Sequence, residues 1–405
     1  MEQFLTSFPS VSENGNTPLP NYDNCLVNLA GSMLSHFGAK PFSPTLPMAD
    51  RYLSKDYKNV VVLLLDAMGI SILEKHLSSD GFFRSHLAGS YSSVFPPTTV
   101  AATTSVLSGK FPSETSWLGW DEYFPQLGKN VTVYLNREQM VEAGCPFSRE
   151  TEARIGDFDQ PAIEEQLPAA DFSVGYTFTA YKNICQLMQE AGARAEFSSP
   201  YVAPNPQTLD AILERVKLLC TEPGKKFIYA YWNEPDGTMH KTGTGSSATH
   251  DVITALEKQV EELVKDLSDT LFFITADHGH MDSHNLCILD YPEIVKCLVR
   301  LPSLEPRAVN MFVKEEYKEV FPSLFKETFG EKFWLLTKEE VLERKLFGSG
   351  TEHPLFRDMI GDYLAVSISD ESLFNTHVEA ALMPGGHAGL TKEELEIPLI
   401  VIEKE

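Results

Sequence analysis

Val60-Val61-Val62-Leu63-Leu64-Leu65-Asp66 decides the fold class of this chain. An unbroken aliphatic run ending in a carboxylate reads as a strand covered on both faces, because a half-exposed strand alternates apolar with polar side chains. Phe227-Ile228-Tyr229-Ala230-Tyr231-Trp232 and Leu271-Phe272-Phe273-Ile274-Thr275 have the same character. Helical periodicity occupies Ala180–Ala191, Thr208–Leu219 and Thr249–Leu267. Strands alternating with helices of this length predict a doubly wound, mostly parallel α/β sheet, and Ile397–Ile402 repeats the buried-strand pattern at the end of the chain.

Residues 1–57 are polar and Pro-containing around one predicted helix at Cys25–His36, and are expected to pack on the core. The α/β core is expected over 58–290 and 350–405. From Tyr291 to Ser349 the rhythm breaks into a stretch rich in Phe, Lys and Glu, so 291–349 reads as an inserted cap.

A 405-residue chain with 43% hydrophobic and 22% charged residues belongs with folded globular proteins rather than disordered chains or membrane bundles. Its net charge of −24 repels nucleic-acid backbones and anionic lipid, so neither a nucleic-acid polymer nor a membrane is an expected partner. A small anionic substrate would need a local cationic site. The six cysteines are scattered without a CxxC pair and read as reduced thiols. The amino terminus has no basic-then-apolar leader pattern, and no apolar stretch reaches the roughly 20 residues of a membrane span, so a cytoplasmic location is expected.

The chemistry gathers after the strands. Open α/β sheets bind ligands outside the carboxyl ends of their strands. Val60–Leu65 is followed by Asp66, Phe227–Trp232 by Asn-Glu-Pro-Asp236-Gly-Thr-Met-His240, and Leu271–Thr275 by Ala-Asp277-His278-Gly-His280. A single aspartate after a strand is as often a turn or cap residue as a functional one. Carboxylates crowded at one edge repel each other unless a cation offsets them, and neighbouring imidazoles suit a borderline-soft divalent metal. Asp236 and His240 converge if a helical turn follows their strand, and Asp277 and His278 can face neighbouring volumes on a turn.

A second anomaly is the hydroxyl-rich Phe95-Pro96-Pro97-Thr98-Thr99-Val100-Ala101-Ala102-Thr103-Thr104-Ser105-Val106-Leu107-Ser108-Gly109. It reads as a loop feeding a helix whose first turn carries hydroxyls. The bland reading is an N-cap threonine. The sharper one is a nucleophile at a helix amino terminus, where backbone N–H groups and the dipole favour phosphate.

In order, Asp66 after its strand, Phe-Pro-x-Thr-Thr through Ser-Gly-Lys-Phe-Pro, Glu-Pro-Asp-x-x-x-His, Thr-Ala-Asp-His-Gly and Gly-Gly-His387-Ala-Gly resemble the type I phosphodiesterase/nucleotide pyrophosphatase family of the alkaline phosphatase superfamily. The resemblance runs from about residue 58 to 402 and implies an alkaline phosphatase-like core that hydrolyses phosphodiester or nucleotide pyrophosphate bonds through a phospho-threonine. It implies two zinc ions, with Mn2+ or another divalent metal as alternatives. Asp236, His240 and His387 would hold one, and Asp66, Asp277 and His278 the other. Thr99 would be the nucleophile beside the second ion, because the family's threonine lies ten residues before the Gly of its turn, here Gly109; Thr98 is the alternative. The sequence departs from the family pattern where Trp120 stands in place of a phosphate-binding Asn and where Val100-Ala101-Ala102 replace Pro-Asn-His.

His250, His280 and His284 flank the motifs and are expected at the surface or behind the ligands. Trp120, Tyr123 and Trp232 are candidates to stack on a leaving group, though aromatics near strand ends usually belong to the core. Arg307 and the cap lysines are candidates for a terminal phosphate, or a solvated face. Cys145-Pro-Phe-Ser-Arg149 has the composition of a sulfatase formylglycine block but not its order. Rival functions are a phosphomonoesterase, phosphonate hydrolase or phosphomutase of the same superfamily, and a non-enzymatic binding module.

Overall fold

The structure is a computed structural model and describes residues 19–156 and 159–405. Its main sheet has six strands, in chain order β1 (Asn59–Leu65), β2 (Leu87–Ser92), β3 (Arg194–Ser198), β4 (Lys226–Trp232), β5 (Thr270–Thr275) and β6 (Glu396–Lys404). Across the sheet they lie in the order β2-β6-β5-β1-β4-β3. β1 pairs in parallel with β4 and β5, and β3 with β4; β6 runs antiparallel to both β2 and β5. The sheet is therefore mostly parallel, as the continuous aliphatic runs require.

Every residue of β1 is buried, so the strand must be covered on both faces. Each fully buried Val or Leu contributes about 1.5–3 kcal/mol relative to exposure. Two groups of helices supply the cover. Leu26–His36, Thr99–Ser108 and Ile184–Glu190 pack on one another, and Ile70–His76 and Leu209–Thr221 each pack against Ser247–Lys265. The last of these shows the local logic. Ile253, Leu256, Val260, Leu263 and Val264 recur at helical spacing and are its buried stripe. Ser246 caps its start by accepting a 3.0 Å hydrogen bond from the Thr249 N–H, and removing that hydroxyl would cost about 1 kcal/mol.

A second, antiparallel sheet has seven strands: Phe333–Thr337, Tyr363–Ser367, Ala308–Met311, Ser303–Glu305, Asp121–Phe124, Lys129–Thr132 and Arg137–Glu138, in that order. Three of them come from the 291–349 stretch and four from outside it. The second sheet is thus shared between that stretch and segments before and after it. Its strands are two to five residues long, too short for alternation to stand out in the sequence.

All six cysteines are free thiols, and all but Cys145 are buried. Among the described residues no helix is long and apolar enough to cross a membrane.

Candidate metal centre

Because β5, β1 and β4 are parallel neighbours, their carboxyl ends lie at one edge. Asp66 follows β1 directly, and its N–H donates to the Trp232 carbonyl of β4 at 3.0 Å. The next residue, Ala67, has a φ of 60°, a left-handed conformation costing a non-glycine residue about 1–2 kcal/mol. That turn aims the Ala67 N–H at Asp277 Oδ1, 3.1 Å away. Asp236 opens the short helix Asp236–Thr242, so His240 lies one turn later on the same face. His387 arrives from another part of the chain: Gly385–Gly386 pair antiparallel with Met281–Asp282 and carry it alongside the Asp277-His278 turn.

The atoms converge in two overlapping groups. Asp236 Oδ1 lies 3.3 Å from His240 Nε2 and 3.6 Å from His387 Nε2, and those two nitrogens are 3.1 Å apart. His278 Nε2 lies 3.3 Å from Asp66 Oδ1 and 3.5 Å from Asp277 Oδ2. Thr99 Oγ1 completes the second group, 3.4 Å from Asp66 Oδ1 and 3.3 Å from His278 Nε2. All seven residues expected at the site are thereby brought together.

These groups fit metal ions. Donor atoms about 2.0–2.1 Å from a tetrahedral zinc stand about 3.3–3.4 Å from one another, close to the separations observed here. His240, His278 and His387 each set Nδ1 against a backbone carbonyl, of Gly385 (3.0 Å), Gly279 (2.8 Å) and Pro97 (3.1 Å) respectively. That places a proton on Nδ1 and turns Nε2 toward the cluster, where it becomes a lone-pair donor once a cation displaces any proton held there. Asp236 Oδ1 and Asp277 Oδ2 are buried without a hydrogen-bond partner. Behind these side chains, the Tyr231 hydroxyl donates to Asp66 Oδ2, and Asp277 Oδ1 accepts from the His278 N–H at 3.0 Å.

Electrostatics give the same result. Burial and the nearby Asp66 carboxylate push Asp277 well above the usual carboxylate range. Burial opposes charge on His278, yet Asp277 and Asp66 outweigh it and raise its pKa to about 10. Burial and the neighbouring His278 hold His387 well below an ordinary histidine. A cluster that retains protons on one carboxylate and one imidazole lacks positive charge, which divalent cations would supply.

The two adjacent threonines differ. Thr98 is the N-cap of the Thr99–Ser108 helix, and its hydroxyl donates to Glu305 Oε1 at 2.6 Å. Thr99, the first helical residue, points its hydroxyl into the second ligand group.

The family model for type I phosphodiesterase/nucleotide pyrophosphatase matches residues 60–367. The chain belongs to this family. It is accordingly a phosphoric ester hydrolase of the alkaline phosphatase superfamily, from a metal-dependent group of enzymes. Among solved structures, the chain is similar in fold to murine ectonucleotide pyrophosphatase/phosphodiesterase 5, an inactive variant in complex with AMP, at 16% identity and TM-score 0.61, covering 85% of this chain and 87% of that one. Phosphonoacetate hydrolase from Sinorhizobium meliloti 1021, in complex with phosphonoformate, matches at 16% identity and TM-score 0.57, covering 86% and 91%. At these identities the likeness is one of fold. No curated relative matches the sequence.

Arg307 departs from its sequence expectation, whereas several other residues match theirs. Arg307 is neither a phosphate ligand nor solvated: it is fully buried, with Nε 2.6 Å from Glu394 Oε1 and Nη2 3.0 Å from Oε2, and Nη1 donating to the Glu371 carbonyl at 2.8 Å. Trp120 lines the cavity beside the centre, and its N–H donates to Glu305. Arg149 of the Cys145–Arg149 block pairs with Glu164 and Glu138. His250 and His284 are exposed. His280 is fully buried and faces Asp236, with Nε2 3.7 Å from Oδ1. A further Glu142-Cys287-His377 group has no free imidazole nitrogen, since His377 is bound on both sides by Glu142 and Asp290. Sequence reading missed Tyr231, Glu305, Asp121 and Glu379. Only Tyr231 had a signal, as a hydroxyl one residue before the end of a buried strand.

Proposed function

We propose that the chain hydrolyses small phosphodiesters in two steps, with Thr99 as nucleophile and a pair of zinc ions at the two ligand groups. The carrying observation is the position of Thr99 Oγ1 beside Asp66 and His278, while Thr98 is committed to Glu305. Bound there, the ions would supply positive charge that lowers the pKa of a hydroxyl or water and offsets phosphoryl charge. Asp236, His240 and His387 would hold one, and Asp66, Asp277 and His278 the other.

Thr99 Oγ1 attacks phosphorus in line, forming the P–O bond to the protein as the bond to the leaving alcohol breaks. The adduct keeps the other ester group. The first-turn N–H groups of the Thr99–Ser108 helix present a partial positive charge to the phosphoryl oxygens. Water then attacks the same phosphorus, releasing the monoester and restoring the hydroxyl.

The leaving group is set by a cavity of about 230 Å³ lined by Thr99, Trp120, Asp121, Glu305, Glu379 and His387 among others. Arg307 also borders it, but its charge is spent on Glu394. Burial pushes Asp121 up to about 6 and Glu305 and Glu379 up to about 7. An additional phosphate would be repelled as these carboxyls ionise, whereas an uncharged or cationic alcohol would be accepted. This favours a diester over a nucleotide pyrophosphate.

The test compares zinc-loaded protein on bis-p-nitrophenyl phosphate, p-nitrophenyl phosphate and ATP, before and after chelation. Diester turnover exceeding both others and abolished by chelation is expected. No turnover of any ester with zinc, manganese or another divalent metal would overturn the proposal.

A further inference from the structure

We infer that His280 is a direct ligand of the ion held by Asp236, His240 and His387, making that site a three-histidine one. The inference rests on the two-metal reading above and adds a fourth protein donor to one half of it. His280 is completely enclosed, at 1% exposure, and neither ring nitrogen has a hydrogen-bond partner. A buried imidazole in that condition is rare, because nothing replaces the water it lost. Its Nε2 lies 3.7 Å from Asp236 Oδ1, beyond hydrogen-bond range yet matching the 3.6 Å from that same oxygen to His387 Nε2. Asp236 Oδ1 is itself unpartnered and is faced by three imidazole nitrogens, Nε2 of His240 at 3.3 Å, of His387 at 3.6 Å and of His280 at 3.7 Å. The donor atoms of Asp236, His240 and His280 all lie within 4.8 Å of one another.

The backbone is built around this ring. The centroid of His280 lies 4.7 Å from that of His240, edge to face. A Cβ at Gly385 would come within 2.7 Å of His280 Cε1, so only glycine leaves room for the imidazole. The same Gly385 carbonyl orients His240 through its Nδ1, and the Gly385–Gly386 ladder to Met281–Asp282 carries His387 in. One two-residue ladder thereby seats all three histidines. His280 lies two residues after His278, and the turn at Gly279 sends the two rings to different ligand groups. That turn depends on close packing: a Cβ at Gly279 would fall 1.9 Å from the Glu393 carbonyl oxygen.

The experiment uses Co2+ as the probe in full-length protein carrying Asp277→Asn, which weakens the other site. Each cobalt-ligating histidine gives one exchangeable, strongly shifted ring N–H resonance in the proton NMR spectrum. Three such signals are expected, falling to two in His280→Met, with cobalt binding weakened at least about 10-fold in chelator competition. His280→Ala, checked for folding by circular dichroism, should give the same pair. Two signals both with and without His280 would overturn the inference and leave the two-metal reading standing. No cobalt binding in the parent protein would overturn both.

Discussion

Thr98 donates its hydroxyl to Glu305 over 2.6 Å, and that bond separates the two threonines chemically. Thr98 is held away from the ligand groups, while Thr99 Oγ1 reaches Asp66 and His278. Thr99→Ala should therefore lower kcat by about 10³-fold or more with KM changed only a few-fold, since the substrate-binding groups remain. Thr98→Ala should lower it far less. Steady-state kinetics on bis-p-nitrophenyl phosphate reads both, and the reverse ranking would assign the nucleophile to Thr98.

Tyr231 supports Asp66 from behind through its hydroxyl. In Tyr231→Phe the carboxylate keeps its place but loses a donor that fixes which oxygen faces the cluster. Zinc affinity should fall by about 10- to 100-fold, measured by competition with a chromogenic chelator. Unchanged affinity would show that packing alone orients Asp66.

Arg307 and Glu394 are both fully buried and bind each other with two hydrogen bonds. Removing one partner strands the other's charge, so Arg307→Met should destabilise the protein by about 3–5 kcal/mol in urea unfolding. Changing both to Met should recover much of that loss, because the stranded charge disappears.

Glu122 gives the pH dependence a definite sign. Burial raises it to about 8, Oε1 accepts from the N–H groups of Leu118 and Gly119, and Oε2 is buried without a partner. The unfolded chain releases this proton near the ordinary glutamate value of about 4.3, whereas the folded chain keeps it until about pH 8. Between those values the folded state binds more protons, so stability falls as pH rises. Glu122→Gln mimics the protonated form and should flatten the decline in Tm between pH 5 and 9. An equally steep decline in the variant would assign the dependence elsewhere.

The core strands were legible because aliphatic runs such as Val60–Leu65 have no solvent face to obscure, and the carboxylates at their ends announced the edge. The clustering of the candidate ligands was legible because each but His387 follows such a run in the sequence. Glu305, Asp121 and Glu379 were not. Glu305 and Asp121 belong to the second sheet, whose short strands carry no period, Glu379 to the short helix His377–Leu382, and only tertiary packing brings them to the cavity. His280 was visible in the sequence but undervalued, because its role depends on an absent hydrogen-bond partner, which no residue pattern encodes.

Acid-quenching the zinc-loaded enzyme during turnover of bis-p-nitrophenyl phosphate, followed by peptide mass spectrometry, tests the central claim most directly. The account predicts a p-nitrophenyl phosphoryl group on the peptide spanning Thr98 and Thr99, with fragmentation placing it on Thr99 and no adduct in Thr99→Ala. Rapid turnover with no adduct on either threonine would contradict it, and would assign the attack on phosphorus to water in a single step.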